Sequence, residues 1–298
     1  MKPNIRTILA TAFAVALPSR QALATVSVAA SVPDLASIAQ AVGGARVEAF
    51  SIARADANPH SVEVLPSHMT RVARAKIFLK VGLGLDGWAD AIVRGSRNSS
   101  IAVVDCSRGV VVLEKPSGKV DASMGDVHPE GNPHYWLDPE NGAVVAKTVA
   151  AALEQIDPEG KPAYEAGLAK FLAELDSREI GWKRRMEPFR GKAIFTYHSS
   201  WPYFAQAFGL RIAGKVEPVP GIPPNARHLS ELLAIAKTEN VHYLLQEPYF
   251  PREGGEFLHR EAGVVPLALP PSCKGPGATD YFEHFDAIVG AFEKGKAP

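Results

Sequence analysis

Three histidines stand in surroundings that fix the backbone around an imidazole: Asn58-Pro59-His60, Asn132-Pro133-His134-Tyr135-Trp136 and Thr196-Tyr197-His198-Ser199-Ser200-Trp201. Imidazole is a borderline ligand suited to zinc, copper, iron and nickel, and three such rings supply most of a first-row metal site. The residue before a proline is held in extended or turn backbone, so each Asn-Pro pair presets the ring that follows it. Residues this far apart in the chain meet only in a folded cleft. A metal held there is cargo, catalyst or structural support.

Other side chains compete for places around such a metal. His128, in Gly125-Asp126-Val127-His128-Pro129-Glu130, is a candidate accessory contact because carboxylates flank it in the same loop. Glu247, in Gln246-Glu247-Pro248-Tyr249, is the favoured fourth ligand. Glu217, in Val216-Glu217-Pro218, is similarly placed, and either glutamate could instead accept a hydrogen bond from a ligand ring. Cys273 is a soft donor but an easily oxidised one in an exported protein, and a Cys106–Cys273 disulfide is not favoured. His68, His228, His242, His259 and His284 lack a partner pattern and read as structural or exposed.

The elements that must position these residues alternate along the chain. Val26–Val32 reads as a buried strand, and Leu35, Ile38, Ala39 and Val42 have helical spacing up to Gly43-Gly44. Strands at Val47–Ile52, Ile77–Val81 and Ile101–Val104 are separated by helices opening at Pro66 and covering Trp88–Val93. This alternation predicts a mostly parallel sheet flanked by helices, whose ligands bind beyond the carboxyl ends of the strands. From Glu114 to Asn132 the pattern dissolves into loop residues. A helix then follows Asp138-Pro139, and Lys161 to about Met186 reads as one long rigid helix between two lobes. Beyond it the alternation restarts, with strands at Ala193–Tyr197, Leu210–Val216 and Val241–Gln246, helices at Trp201–Phe208 and Leu229–Ala236, and a final helix at Tyr281–Phe292. The fold class is therefore α/β, with residues 1–24 as a signal peptide, 25–160 as the first lobe, 161–188 as the linking helix and 189–298 as the second lobe.

The signal peptide rests on Lys2 and Arg6, the apolar run Ile8–Leu17 and the small residues of Ala22-Leu23-Ala24. The run is too short to span about 30 Å of hydrocarbon, and no cysteine near the cleavage site offers a lipid anchor, so a periplasmic location is expected. The 32 basic and 32 acidic residues of this 298-residue chain give no field for nucleic acid or an anionic membrane. The expected partners are a metal ion and another protein, with the chain itself a monomer.

The motifs resemble the periplasmic metal-binding proteins of ABC importers for zinc and manganese. They are Asn58-Pro59-His60 with Glu63 and Pro66-Ser67, the run Asn132 to Pro139, and the Tyr197-His198 corner followed by Tyr203-Phe204 and Phe208-Gly209-Leu210. The resemblance implies two lobes joined by one long helix, and a metal held between them by His60, His134 and His198. Two departures stand out. Leu267 to Cys273 lacks the aspartate that members often supply before the last helix, and Ser117–Gly131 lacks the long histidine-rich run of some zinc members.

The function expected is capture of Zn²⁺, with Mn²⁺ second, and delivery to the membrane permease of an ABC importer, with no catalysis. The rival is an exported three-histidine zinc hydrolase with Glu247 as general base. Against it, the sequence has no His-Glu-x-x-His helix and no evident second acid.

Overall fold

The computed structural model describes residues 25–118, 120 and 125–295. The expected signal peptide and its cleavage site lie outside the described residues. No helix among those residues is long and apolar enough to cross a membrane.

The first sheet is all-parallel and ordered β2-β1-β3-β4, from β1 (Val26–Ala30), β2 (Val47–Ser51), β3 (Ile77–Lys80) and β4 (Ala102–Asp105). Helices α1 (Pro33–Gly43), α2 (Pro66–Val72) and α3 (Ala89–Gly95) connect the strands. The central strands are apolar on both faces because helices cover both, as a parallel sheet requires. The second sheet repeats the order as β6-β5-β7-β8, from β5 (Ala193–Thr196), β6 (Arg211–Lys215), β7 (Tyr243–Gln246) and β8 (Val265–Ala268). Its helices are α6 (Pro202–Ala207), α7 (Ala226–Thr238) and α8 (Glu253–Ala262), which follow the linking pair α4 (Pro139–Ile156) and α5 (Lys161–Met186). In each sheet the first strand lies inside the order, with its successor on one side and the remaining strands on the other. That reversal opens a crevice at the carboxyl ends.

Local chemistry sets the helix ends. Asp138 caps α4 by accepting from Glu140 N, with Pro139 in the first turn, and α9 (Tyr281–Lys294) opens on a capping box between Asp280 and Glu283. Gly167 lets α5 lie directly on α1: a Cβ there would stand 2.0 Å from the carbonyl oxygen of Val42.

Helix α9 leaves the second sheet and packs along α5. The Trp182 ring stacks on Phe285 at 4.9 Å, Phe171 meets Phe282 at 4.9 Å, and Phe189 meets Phe292 at 5.3 Å. One continuous apolar core therefore includes Leu79 and Val149 of the first lobe and Ile194 and Leu245 of the second. The lobes are fused through buried aromatic side chains as well as through a helix.

Candidate metal centre

The Asn-Pro-His segments use the same device twice. Asn58 Oδ1 accepts from His60 N at 3.0 Å, and Asn132 Oδ1 accepts from His134 N at 3.0 Å. An asparagine bonding the backbone two residues on makes a tight turn that aims the following ring. The His60 turn is pinned to its lobe by Trp88, whose Nε1 donates to Pro59 O at 2.9 Å. His198 comes two residues after the end of β5, the inner strand at the crevice of the second sheet.

These elements bring His60, His134 and His198 together, with one donor atom of each within 4.8 Å of the others. His134 and His198 are buried and His60 half-buried. The Nε2 atoms of His60 and His134 are 3.1 Å apart. Tetrahedral zinc with Zn–N bonds near 2.0–2.1 Å would separate two ligand nitrogens by about 3.3 Å, so this pair already stands close to chelating distance.

The partner of each second ring nitrogen decides which nitrogen remains available. His134 Nδ1 lies 3.1 Å from Asn132 Oδ1, and His198 Nδ1 lies 2.7 Å from Glu217 Oε2. Both partners are acceptors, so both Nδ1 atoms carry the proton and both Nε2 atoms keep a lone pair. His60 Nδ1 faces His128 Nε2 at 3.2 Å, a contact in which either ring can donate, and the tautomer with the proton on His60 Nδ1 is the one that frees its Nε2. This is the outer-shell arrangement that orients metal-ligating imidazoles.

The surroundings disfavour protonation of His60, His134 and His128. Burial, followed by the charges of His198 and His128, pushes His60 well below the usual imidazole range. Burial also pushes His134 well down, with His60, His198, His128 and Lys215 adding to it. His128 is lowered by burial against the opposing charge of Asp126, with His198 adding to the lowering. A cavity of 260 Å³ opens onto the cluster between Asp126, His128, Asn132, His134, His198 and Lys215. A larger cavity of 580 Å³, lined in part by Arg54, Arg71 and Lys274, brings no such set of donors together.

The remaining expected residues fall around the cluster. Glu247 is fully buried, accepts from Trp201 Nε1 at 3.0 Å through Oε1, and has no hydrogen-bond partner on Oε2 among the described residues. It is not in the mutually close set. Glu217 takes the acceptor position considered for it in the sequence. His128 stands behind His60. Cys106 and Cys273 are buried free thiols. Of the other histidines, His228 and His259 bond the carbonyls of Lys215 and Val264, and His284 is buried in the core. Sequence reasoning missed Glu114, Ser199 and Lys215, which bond one another beside the cavity.

The model of the zinc-uptake complex component A family, periplasmic (ZnuA), matches residues 28–295. The chain belongs to the ZnuA family. It is 25% identical over 260 residues to the high-affinity zinc uptake system protein ZnuA of Yersinia pestis, covering 82% of this chain and 81% of that one. It is 26% identical over 244 residues to the iron ABC transporter substrate-binding lipoprotein MtsA of Streptococcus pyogenes serotype M1, covering 77% and 74%. A crystal structure of ZnuA superposes with a TM-score of 0.78 at 25% identity, covering 91% of this chain and 98% of that one. The ZnuA-family chain described here is thus an extracytoplasmic solute-binding protein for a divalent metal in ABC import. Its family consists of metal-binding transport proteins, which removes the hydrolase alternative.

Proposed function

We propose that this ZnuA-family chain captures Zn²⁺ between its lobes, through Nε2 of His60, His134 and His198, and passes it to the permease of an ABC importer after export to the periplasm. The observation that carries the metal choice is the donor set: three imidazoles, each with its other nitrogen within hydrogen-bond distance of a partner, and no carboxylate among them. Manganese sites lean on carboxylate and carbonyl oxygen, whereas imidazole suits zinc. Relatives named for zinc, iron and manganese all resemble this chain, so the ligands rather than the likeness favour zinc. Glu247 is the candidate for a fourth position, because its buried Oε2 is unclaimed.

The test is competition between Zn²⁺ and Mn²⁺ for the metal-free protein, with metal content read by elemental analysis. Zinc should displace manganese at equal concentration, and His198→Ala should lose that preference. Retention of manganese against zinc would assign the site to the other metal.

A further inference from the structure

Glu114 has φ +49°, a left-handed backbone that residues with a side chain adopt rarely and under strain. Its neighbours hold it there. Leu113 N donates to Tyr203 Oη at 3.0 Å, Tyr203 Oη donates to Asn132 O at 2.8 Å, and Asn132 N donates to Leu113 O at 2.8 Å. Gly131 is forced by the same approach, since a Cβ there would stand 2.9 Å from Leu113 O.

The strained backbone puts the Glu114 carboxylate between the lobes. Its Oε1 accepts from Lys215 Nζ at 2.8 Å, and its Oε2 accepts from Ser199 Oγ at 2.7 Å and from Asn132 Nδ2 at 2.9 Å. Lys215 Nζ also donates to Ser199 Oγ at 2.7 Å, and Asn132 Nδ2 reaches Ser199 O at 2.6 Å. Burial works to raise the Glu114 carboxyl, but Lys215, Ser199 and Asn132 outweigh it and hold the group below its usual range. Asn132 orients the His134 ring through its other atom, Oδ1. Ser199 directly follows His198, and Lys215 ends β6 of the second sheet. A single hydrogen-bonded network therefore touches the orienting group of one ring and the backbone beside another, from opposite lobes.

From this geometry we infer that Glu114 and Lys215 form an interlobe clasp, which positions His134 and His198 relative to each other and sets how long a bound metal is retained. The inference rests on the capture proposed above and adds residues that do not touch the metal. The Glu114–Lys215 pair alone would contribute little, since its side chains are 39% and 32% exposed. Its effect comes from acting as a unit with Asn132 and Ser199, all of whose bonds must part before the lobes can separate around the site.

The experiment measures zinc dissociation into excess chelator by stopped flow for the full mature chain, Glu114→Ala, Lys215→Met, the double variant and Lys215→Arg. Each of the first two single variants should release zinc about tenfold faster, a change of about 1.4 kcal/mol. The double variant should be no faster than the quicker single, because both break one unit. Lys215→Arg should restore a rate near wild type. If Glu114→Ala does not fold, Glu114→Gln keeps the shape, removes the charge and should still accelerate release several-fold. Rates within twofold of wild type, or a double variant showing the product of the two single effects, would overturn the clasp. A wild-type chain that takes up no zinc would instead overturn the capture reading, and the clasp with it.

Discussion

His198 and Glu217 form a buried pair, with ring Nδ1 2.7 Å from carboxylate Oε2 and side chains only 3% and 5% exposed. The same oxygen accepts from Gly221 N at 3.1 Å, so one carboxylate fixes both the ring and the loop that begins at Glu217. Glu217→Gln should weaken zinc affinity by about 10- to 100-fold, the usual cost of losing an outer-shell acceptor. Chelator competition on the purified variant measures this, and an unchanged affinity would show that the carboxylate does not tune the ring.

Glu247 is placed to matter through charge. Burial raises its carboxyl, the charge of His198 lowers it in part, and Trp201 holds one oxygen. Glu247→Gln keeps the shape and removes the negative charge, so zinc affinity should drop by about tenfold or more if the carboxylate serves the metal. The visible spectrum of the cobalt-substituted protein should change with it. Wild-type affinity together with an unaltered spectrum would take Glu247 out of the site.

The stability of the metal-free protein should vary with pH through two buried groups outside the His60, His134 and His198 set. Burial lowers His284 from 6.5 to about 4, so the unfolded chain binds the extra proton between those values. Its contribution is present above pH 6.5 and is lost as pH falls through about 4, a change of about 3 kcal/mol. Asp34 works in the opposite sense. Burial raises it from 3.8 to about 7, with a hydrogen bond from Cys273 N opposing, so its contribution is present below pH 3.8 and lost as pH rises through about 7. The two groups oppose each other over nearly the same pH range, so against wild type His284→Phe should make melting temperature fall more, or rise less, as pH goes from 4 to 7, and Asp34→Asn should make it rise more, or fall less, over that range. Profiles that keep the wild-type slopes would rule these groups out.

The fused core predicts that the linking helix is a structural strut. Trp182 stacks on Phe285 at 4.9 Å and its Nε1 donates to Asp286 Oδ1 at 2.7 Å. Trp182→Ala should cost about 3–5 kcal/mol in a urea titration. A loss below about 1 kcal/mol, the range of surface substitutions, would mean that the α5–α9 seam is not a main source of stability.

The sequence made the existence of α5 legible, as a helix from Lys161 to about Met186, because Tyr164, Phe171 and Leu175 recur at helical spacing between two punctuated ends and are all buried. It hid β8, where Pro266 argues against a strand. The proline is tolerated because β8 is the edge of its sheet, paired on one side to β7. Helix α8 escaped notice as well, since Gly254 and Gly255 in its first turn weaken the helical signal. The glycines let α8 approach Val216 and Gln246 closely, a demand visible only in three dimensions. Within the site, His60, His134 and His198 were marked by their turns, whereas Glu114 and Lys215 were not. Their roles depend on a left-handed residue and on contacts between lobes, neither of which leaves a periodic trace.

A metal between His60, His134 and His198 is what both the capture and the clasp depend on. Anomalous diffraction at the zinc edge, from crystals of the protein loaded with one equivalent of Zn²⁺, tests it directly. One strong peak is expected, about 2.0–2.1 Å from Nε2 of each of the three rings. A peak elsewhere, or one bonded to fewer than three of these nitrogens, would contradict it.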